Sequence, residues 1–170
     1  NIAKKLANKY RKIKVLNSNQ EIIDKSSTII LGITPNVGNK ILSKLNFTKN
    51  KKIISLISTI NTAKLKKLTK NKNIVRATPL PPIEIKKGPI IICPPNKFAK
   101  DLFKHLGEVI EIKSEKLSYK FWATASVMAA YYEILNVSSS WLIKKGINKT
   151  IANNYIAELF LSLSQDAVNK

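Results

Sequence analysis

The stretch Asn73-Ile-Val-Arg-Ala-Thr-Pro-Leu-Pro-Pro82 reads as a buried strand that runs into a proline-locked loop. Proline fixes φ and removes a backbone donor, so Pro79, Pro81 and Pro82 end sheet pairing and stiffen the loop. A stiff loop at a strand end is where alternating α/β proteins place ligand contacts. Backbone amides in such loops can hold a carboxylate or a phosphate without a charged side chain. Conventionally reactive side chains are sparse. His105, the single histidine, lies on a charged helix between Lys104 and Leu106 and reads as a surface residue. Cys93 ends the apolar run Gly88-Pro-Ile-Ile-Ile-Cys93 and reads as a small buried hydrophobe, not a nucleophile. One His and one Cys cannot build a metal centre without several carboxylates, so no metal is expected. Ser138-Ser-Ser140 reads as a polar face or kink in a long helix.

The elements that must position these loops are legible in the periodicity. Ile2, Ala3, Leu6, Ala7 and Tyr10 have helical spacing, and Ile13 to Leu16 reads as a brief strand. Asn19 starts or caps a short helix through Ile23. The apolar run Thr28 to Ile33 fits a strand buried on both faces, Thr34-Pro35-Asn36 stops it, and Val37 to Leu45 mark a helix. The cycle repeats with strand Lys52 to Ser58, helix Ala63 to Leu68 and strand Ile74 to Ala77. Strand Ile90 to Cys93, helix Lys97 to Leu106 and strand Val109 to Ile112 come next. Strands alternating with helices predict βαβ units and a parallel sheet. From about Lys116 the pattern changes to one long helix, Leu117 to Leu135, that is apolar or small nearly all round. Gly146 breaks the run, and Ile151 to Leu163 form the stripe of a last helix. Helices this apolar must be buried on all sides, which points to a second subunit. Trp122 and Trp141 read as its anchors, and Met128, Tyr131 and Tyr132 as packing residues.

Composition narrows the function classes. The chain has 170 residues, one cysteine and a formal net charge of +20. It is 44% hydrophobic and 24% charged, which is globular composition. No apolar run approaches the roughly 20 residues that span a bilayer. A single cysteine excludes a disulfide framework and fits a reducing, cytoplasmic compartment. The charge invites a nucleic-acid reading, but only Arg11 and Arg76 are Arg; all other basic residues are Lys, dispersed along the chain. Phosphate and base readers favour the planar fork of Arg, so nucleic-acid binding is not expected. The start, Asn1-Ile-Ala-Lys-Lys, has neither Met nor a signal-type apolar core and reads as a cut inside a longer chain.

In order and spacing, the motifs resemble pyrroline-5-carboxylate reductase. Ile33-Thr34-Pro35 stands where that family has Val-Lys-Pro, and Ser55-Leu-Ile-Ser-Thr59 where it has a Ser-x-Ala-Ala-Gly turn. Arg76-Ala-Thr-Pro-Leu-Pro-Pro82 stands at its Arg-x-Met-Pro-Asn-Thr-Pro, with Leu80 and Pro81 replacing Asn and Thr. Gly107-Glu-Val109, Ala125-Ser-Val-Met-Ala-Ala-Tyr131 and Gly146-Ile-Asn148 match its Gly-Glu-Val, its Ser-Gly-Ser-Gly-Pro-Ala-Tyr helix start and its Gly-Leu-Pro turn. The family's G-x-G-x-x-G turn would precede Asn1, and its Ser-Pro-Gly-Gly-Thr-Thr segment would come after Lys170.

The resemblance implies an α/β fold: a partial Rossmann-type parallel sheet domain over residues 1–114, then an all-helical dimerisation and substrate domain over 115–170. It implies hydride transfer from NADPH or NADH to the imine carbon of 1-pyrroline-5-carboxylate, giving proline. Asn19, Gly32, Ile33, Thr34, Pro35, Leu56, Ile57 and Ser58 would line the cofactor; Thr78, Pro79 and Glu115 would meet the substrate. No catalytic residue and no metal ligand is implied. The implied partners are a small-molecule substrate and a second copy of the chain through the C-terminal helices, with no membrane. Two alternatives stand: a reductase of another imine or keto substrate on the same fold, or a non-catalytic basic interaction or nucleic-acid-binding protein. The 170-residue piece alone is expected to be inactive.

Overall fold

The computed structural model describes residues 2–169. The chain divides into two compact units, Asn1–Lys120 and Phe121–Lys170. The first holds helices α1 (Ile2–Lys9), α2 (Asn19–Lys25), α3 (Pro35–Ile41), α4 (Thr62–Thr69) and α5 (Lys97–Phe103). These alternate with strands β1 (Thr28–Leu31), β2 (Lys52–Ser55), β3 (Ile74–Pro79), β4 (Pro89–Cys93) and β5 (Glu108–Glu111). Helix α6 (Glu115–Thr124) begins in this unit, and α7 (Val127–Lys144) and α8 (Lys149–Asn169) belong to the second. No described helix is long and apolar enough to cross a membrane.

The five strands form one sheet in the order β1-β2-β3-β4-β5. The pairs β1–β2, β2–β3 and β4–β5 are parallel. The pair β3–β4 is antiparallel, whereas the alternation of elements predicts a parallel sheet throughout. The cause is the connection. Residues 80–88 hold a 3-10 turn, Pro81–Ile85, then Lys86 at φ 57° and Gly88 at φ 89°. Such a link is too short for the crossover of a dozen or more residues that a parallel pair needs, so the chain doubles back. Close packing beside this turn excludes a side chain at Gly107, whose Cβ would overlap the Gly88 carbonyl.

Side chains alternate across the sheet and feed two cores. Ile29, Leu31, Ile53 and Ile74 face Leu42, Ile57, Ile60 and Leu65 on one side. Ile54, Val75, Ala77, Ile90 and Ile92 face Ala99 and Phe103 of α5 on the other. Helix starts use the chain's abundant Asn and Ser. Ser18 caps α2, Asn61 caps α4 and Asn96 caps α5, each side-chain oxygen accepting from a first-turn amide.

Three elements differ from expectation. Residues 13–16 carry no strand, because no described strand lies beside them to pair with. Helix α2 starts at Asn19 as expected but runs past Ile23 to Lys25, and Ser18, not Asn19, is its cap. The long helix expected from Leu117 to Leu135 is broken between Thr124 and Val127. There the Thr124 hydroxyl donates to the Phe121 carbonyl at 2.7 Å and the Ser126 hydroxyl to the Ala123 carbonyl at 2.7 Å. The amides of Ser126, Met128 and Ala129 reach back only three residues. Ser and Thr bonding back to the preceding turn competes with the helical ladder and bends it.

In the second unit α7 and α8 pack through Ser139, Ala152 and Ile156, with Tyr131 edge-on to Phe160 at 5.7 Å. Gly146, at φ 91°, closes α7, with the Ile147 amide donating to the Leu142 carbonyl at 3.1 Å. Ser139 donates to the Leu135 carbonyl at 2.8 Å, so the serine run serves helix packing.

Candidate functional site

β1, β2 and β3 run parallel, so their C-terminal ends open on the same edge of the sheet. Gly32 to Pro35 leaves β1 and Leu56 to Ser58 leaves β2. The two segments touch where the Leu56 amide donates to the Leu31 carbonyl at 3.1 Å. Gly32 faces open space, with nothing within 4 Å of where a Cβ would stand, so a ligand can approach the backbone there. Pro35 is the first residue of α3 and Thr34 its extended N-cap residue. Asn19 stands apart in sequence, yet with Ile33 it lines one cavity of about 110 Å³ beside β1. Gly32 to Pro35 and Leu56 to Ser58 thus follow strand ends on one edge of the sheet, but the Ile57 side chain is buried in the core with Leu42 and Ile60, which leaves only its backbone for a ligand.

Thr78 and Pro79 lie further out. The last β2–β3 pair is Ser55 with Arg76, so the end of β3 overhangs β2 by the residues 77–79. There Thr78 and Pro79 pair with Ile91 and Ile90. Glu115 is placed differently from a residue waiting for a small molecule. Its carboxylate pairs with Arg76 Nη1, and its two oxygens accept the Thr62 amide at 2.9 and 3.2 Å.

Arg76 enters the sequence reading only as the head of a motif, and the structure makes it the hub of the edge. It sits mid-strand and is 6% exposed. Nη1 also donates to the Tyr119 hydroxyl at 3.0 Å, and the guanidinium lies 5.1 Å from the Tyr119 ring centre. Nη2 donates to the Ser58 carbonyl at 2.6 Å. Nε has no partner among the described residues, and a buried unpaired donor costs about 1–3 kcal/mol. The charge-assisted bonds at the other two nitrogens must outweigh that cost. One signal in the sequence could have found this. In the alternation of β3, Arg76 shares a face with Ile74, so a charge falls where a core residue belongs and demands a buried partner.

Cys93 is level with Arg76 on the neighbouring strand and is buried. Burial pushes its thiol up, the Glu115 charge pushes it the same way, and Arg76 opposes both. A protonated, enclosed thiol is a packing group. Among the described residues no set of three His, Cys, Asp or Glu side chains could hold a metal ion.

No family model and no curated protein matches the chain in sequence. Solved structures do match its fold. A 1-pyrroline-5-carboxylate reductase from Streptococcus pyogenes superposes with TM-score 0.86 at 23% identity, over 98% of this chain and 66% of that one. The Plasmodium falciparum pyrroline carboxylate reductase, solved with NADP bound, gives TM-score 0.79 at 21% identity over 91% of this chain and 62% of that one. A reductive aminase from Aspergillus terreus, in complex with NADPH and ethyl levulinate, gives 0.66 at 13% identity over 87% of this chain and 57% of that one. The chain therefore spans 57% to 66% of the length of these proteins, less than two thirds of each. Its α/β sheet and helical pair are the fold of the pyrroline-5-carboxylate reductases.

Proposed function

We propose that the complete protein is an NAD(P)H-dependent oxidoreductase that reduces the carbon–nitrogen double bond of 1-pyrroline-5-carboxylate to give proline. The observation that carries this reading is the superposition on the Streptococcus pyogenes reductase over 98% of the chain at TM-score 0.86. The open backbone at Gly32 and the adjoining segment Leu56–Ser58 suit a flat cofactor laid along the sheet edge. Asn19, Ile33, Thr34 and Pro35 flank that track. The bound dinucleotide supplies the hydride. The protein's part is to orient it: Thr78 and Pro79, on the overhanging end of β3, stand where a small ring would meet it, and the proline loop resists displacement. The helical unit is proposed to pair with a second copy, in a cytoplasmic homodimer or larger homo-oligomer.

A second reading has its own support. Leu80 and Pro81 replace polar residues of the family loop, and the reductive aminase shares the fold. These favour a reductase of a different imine or keto compound. Steady-state assays of the full-length protein separate the two. With NADPH and then NADH, kcat/KM is measured for pyrroline-5-carboxylate, a six-membered cyclic imine, and an amine–ketone pair. The first reading expects pyrroline-5-carboxylate to lead by at least about tenfold. Turnover of another substrate alone selects the second, and cofactor oxidation with none rejects both. The 170-residue piece by itself is proposed to show no turnover.

A further inference from the structure

We infer that Arg76 and Glu115 are positioning residues that lock the loop between β2 and α4 into the shape that receives the dinucleotide, and that Glu115 is not a substrate contact. The inference rests on the reductase reading. That loop is held at two points, mid-loop and at the start of α4, by one ion pair. Arg76 Nη2 holds the Ser58 carbonyl, and Glu115 holds the Thr62 amide at the first turn of α4. Arg76 and Glu115 hold each other, and Tyr119 closes the cluster from the next turn of α6. Within the same loop Ile57 and Ile60 are each 2% exposed, and the Ile57 amide donates to the Ser55 hydroxyl at 3.3 Å. The Leu56 amide is taken by β1. The loop therefore has little freedom while the pair is intact, and regains it when one partner is lost, because a buried charge cannot stay uncompensated. Oε1 of Glu115 takes Arg76 and the Thr62 amide, and Oε2 accepts only the longer branch of that amide bond, so the carboxylate's charge is committed to Arg76 and it is poorly disposed to serve as a substrate contact. Preorganised walls lower the ordering cost of a ligand.

The test uses the full-length protein with Glu115→Gln, Arg76→Lys, the double variant, and Phe103→Leu. Phe103, the last residue of α5, packs on the opposite face of the sheet and serves as a control for general destabilisation. NADPH affinity is read by fluorescence, kcat and KM for the imine separately, and Tm alongside. Glutamine keeps the shape of Glu115 and one acceptor but loses the charge, and lysine cannot reach Ser58 and residue 115 together. Each single variant is expected to weaken NADPH binding about tenfold. The double variant should be no worse than the weaker single one, since the two act as a unit. Phe103→Leu should lower Tm without changing NADPH affinity. Arg76→Lys is the variant at risk of not folding; Glu115→Gln then carries the test alone. Unchanged NADPH affinity in Glu115→Gln overturns the inference. So does an equal loss in Phe103→Leu, or a rise in imine KM with NADPH affinity intact. Absence of NADPH binding by the unsubstituted protein rejects the reductase reading itself, and the inference with it.

Discussion

In the sheet unit Ile53, Ile54, Ile57 and Ile92 are all at or below 2% exposure, whereas in the helical unit Trp141 and Tyr155 are 59% exposed and Ile151 63%. Both regions are rich in large apolar side chains, yet only the first covers them with its own elements. A sheet with helices on both faces closes two cores within one chain, while an antiparallel helix pair can bury only the stripe where its helices meet. What α7 and α8 bury is small: Ser139, Ala152 and Ile156. Val137, Trp141, Tyr155 and Leu163 are left outward, each more than half exposed. The sheet unit is a closed interior that can position loops; the helical unit leaves most of its large apolar side chains uncovered.

The largest effect should come from breaking the helical surface. Trp141→Glu with Tyr155→Glu is expected to weaken self-association by about a hundredfold or more, since buried aromatic anchors carry much of an interface. Light scattering on the full-length protein reads this as a shift from a dimer or larger species to monomer. An unshifted mass would mean that these faces do not pair. Next comes a matched pair of truncations. Ile53→Ala, in the closed core, should cost about 2–5 kcal/mol in denaturant unfolding. Val137→Ala, 57% exposed, should cost under about 0.5 kcal/mol in dilute monomer, a gap that narrows if association buries it. Gly107→Ala should lie between, at about 1–3 kcal/mol, because the new methyl meets the Gly88 carbonyl.

The same contrast explains what the sequence could and could not disclose. The runs Thr28 to Ile33, Lys52 to Ser58 and Ile90 to Cys93 named their strands because a doubly covered strand is apolar at nearly every position. The apolar character of α7 was legible too, but its expected burial on all sides was not met: of α7 only Ser139 is buried, and the expected helix from Leu117 is broken before Val127. The direction of β4 was missed, although the link of residues 80–88 was already too short for a crossover; the length carried the answer and the composition did not. The break at Ala125 and Ser126 was hidden because its cause is a pair of hydroxyl bonds to carbonyls, not a Gly or Pro. Of the site, the strand-end loops were readable as local patterns. The bond from Arg76 to Glu115 joins residues 39 apart, and no local pattern contains both.

Two smaller effects sharpen the comparison. The Cys93 thiol, raised and enclosed in the sheet unit, should react with a thiol reagent at neutral pH about a hundredfold more slowly than in denaturant. Equal rates would mean that this part of the core is open. The smallest effect is at the surface. Glu21, Asp101 and Glu111 are held below the ordinary carboxylate range by hydrogen bonds from Lys25, Lys104 and Lys100. Their stabilisation is present above the unfolded carboxylate pKa and is lost as pH falls through the folded one. All three are solvent-screened surface pairs, so Tm should drift down only slightly in acid, and less in high salt.

Hydrogen exchange of the full-length protein with and without NADPH tests the division of labour most directly. If the sheet unit alone builds the cofactor site, adding NADPH slows exchange at residues 32–34 and 56–60 and leaves residues 137–142 of α7 unchanged. Protection confined to the helices, or no protection at either strand-end loop, would contradict that division.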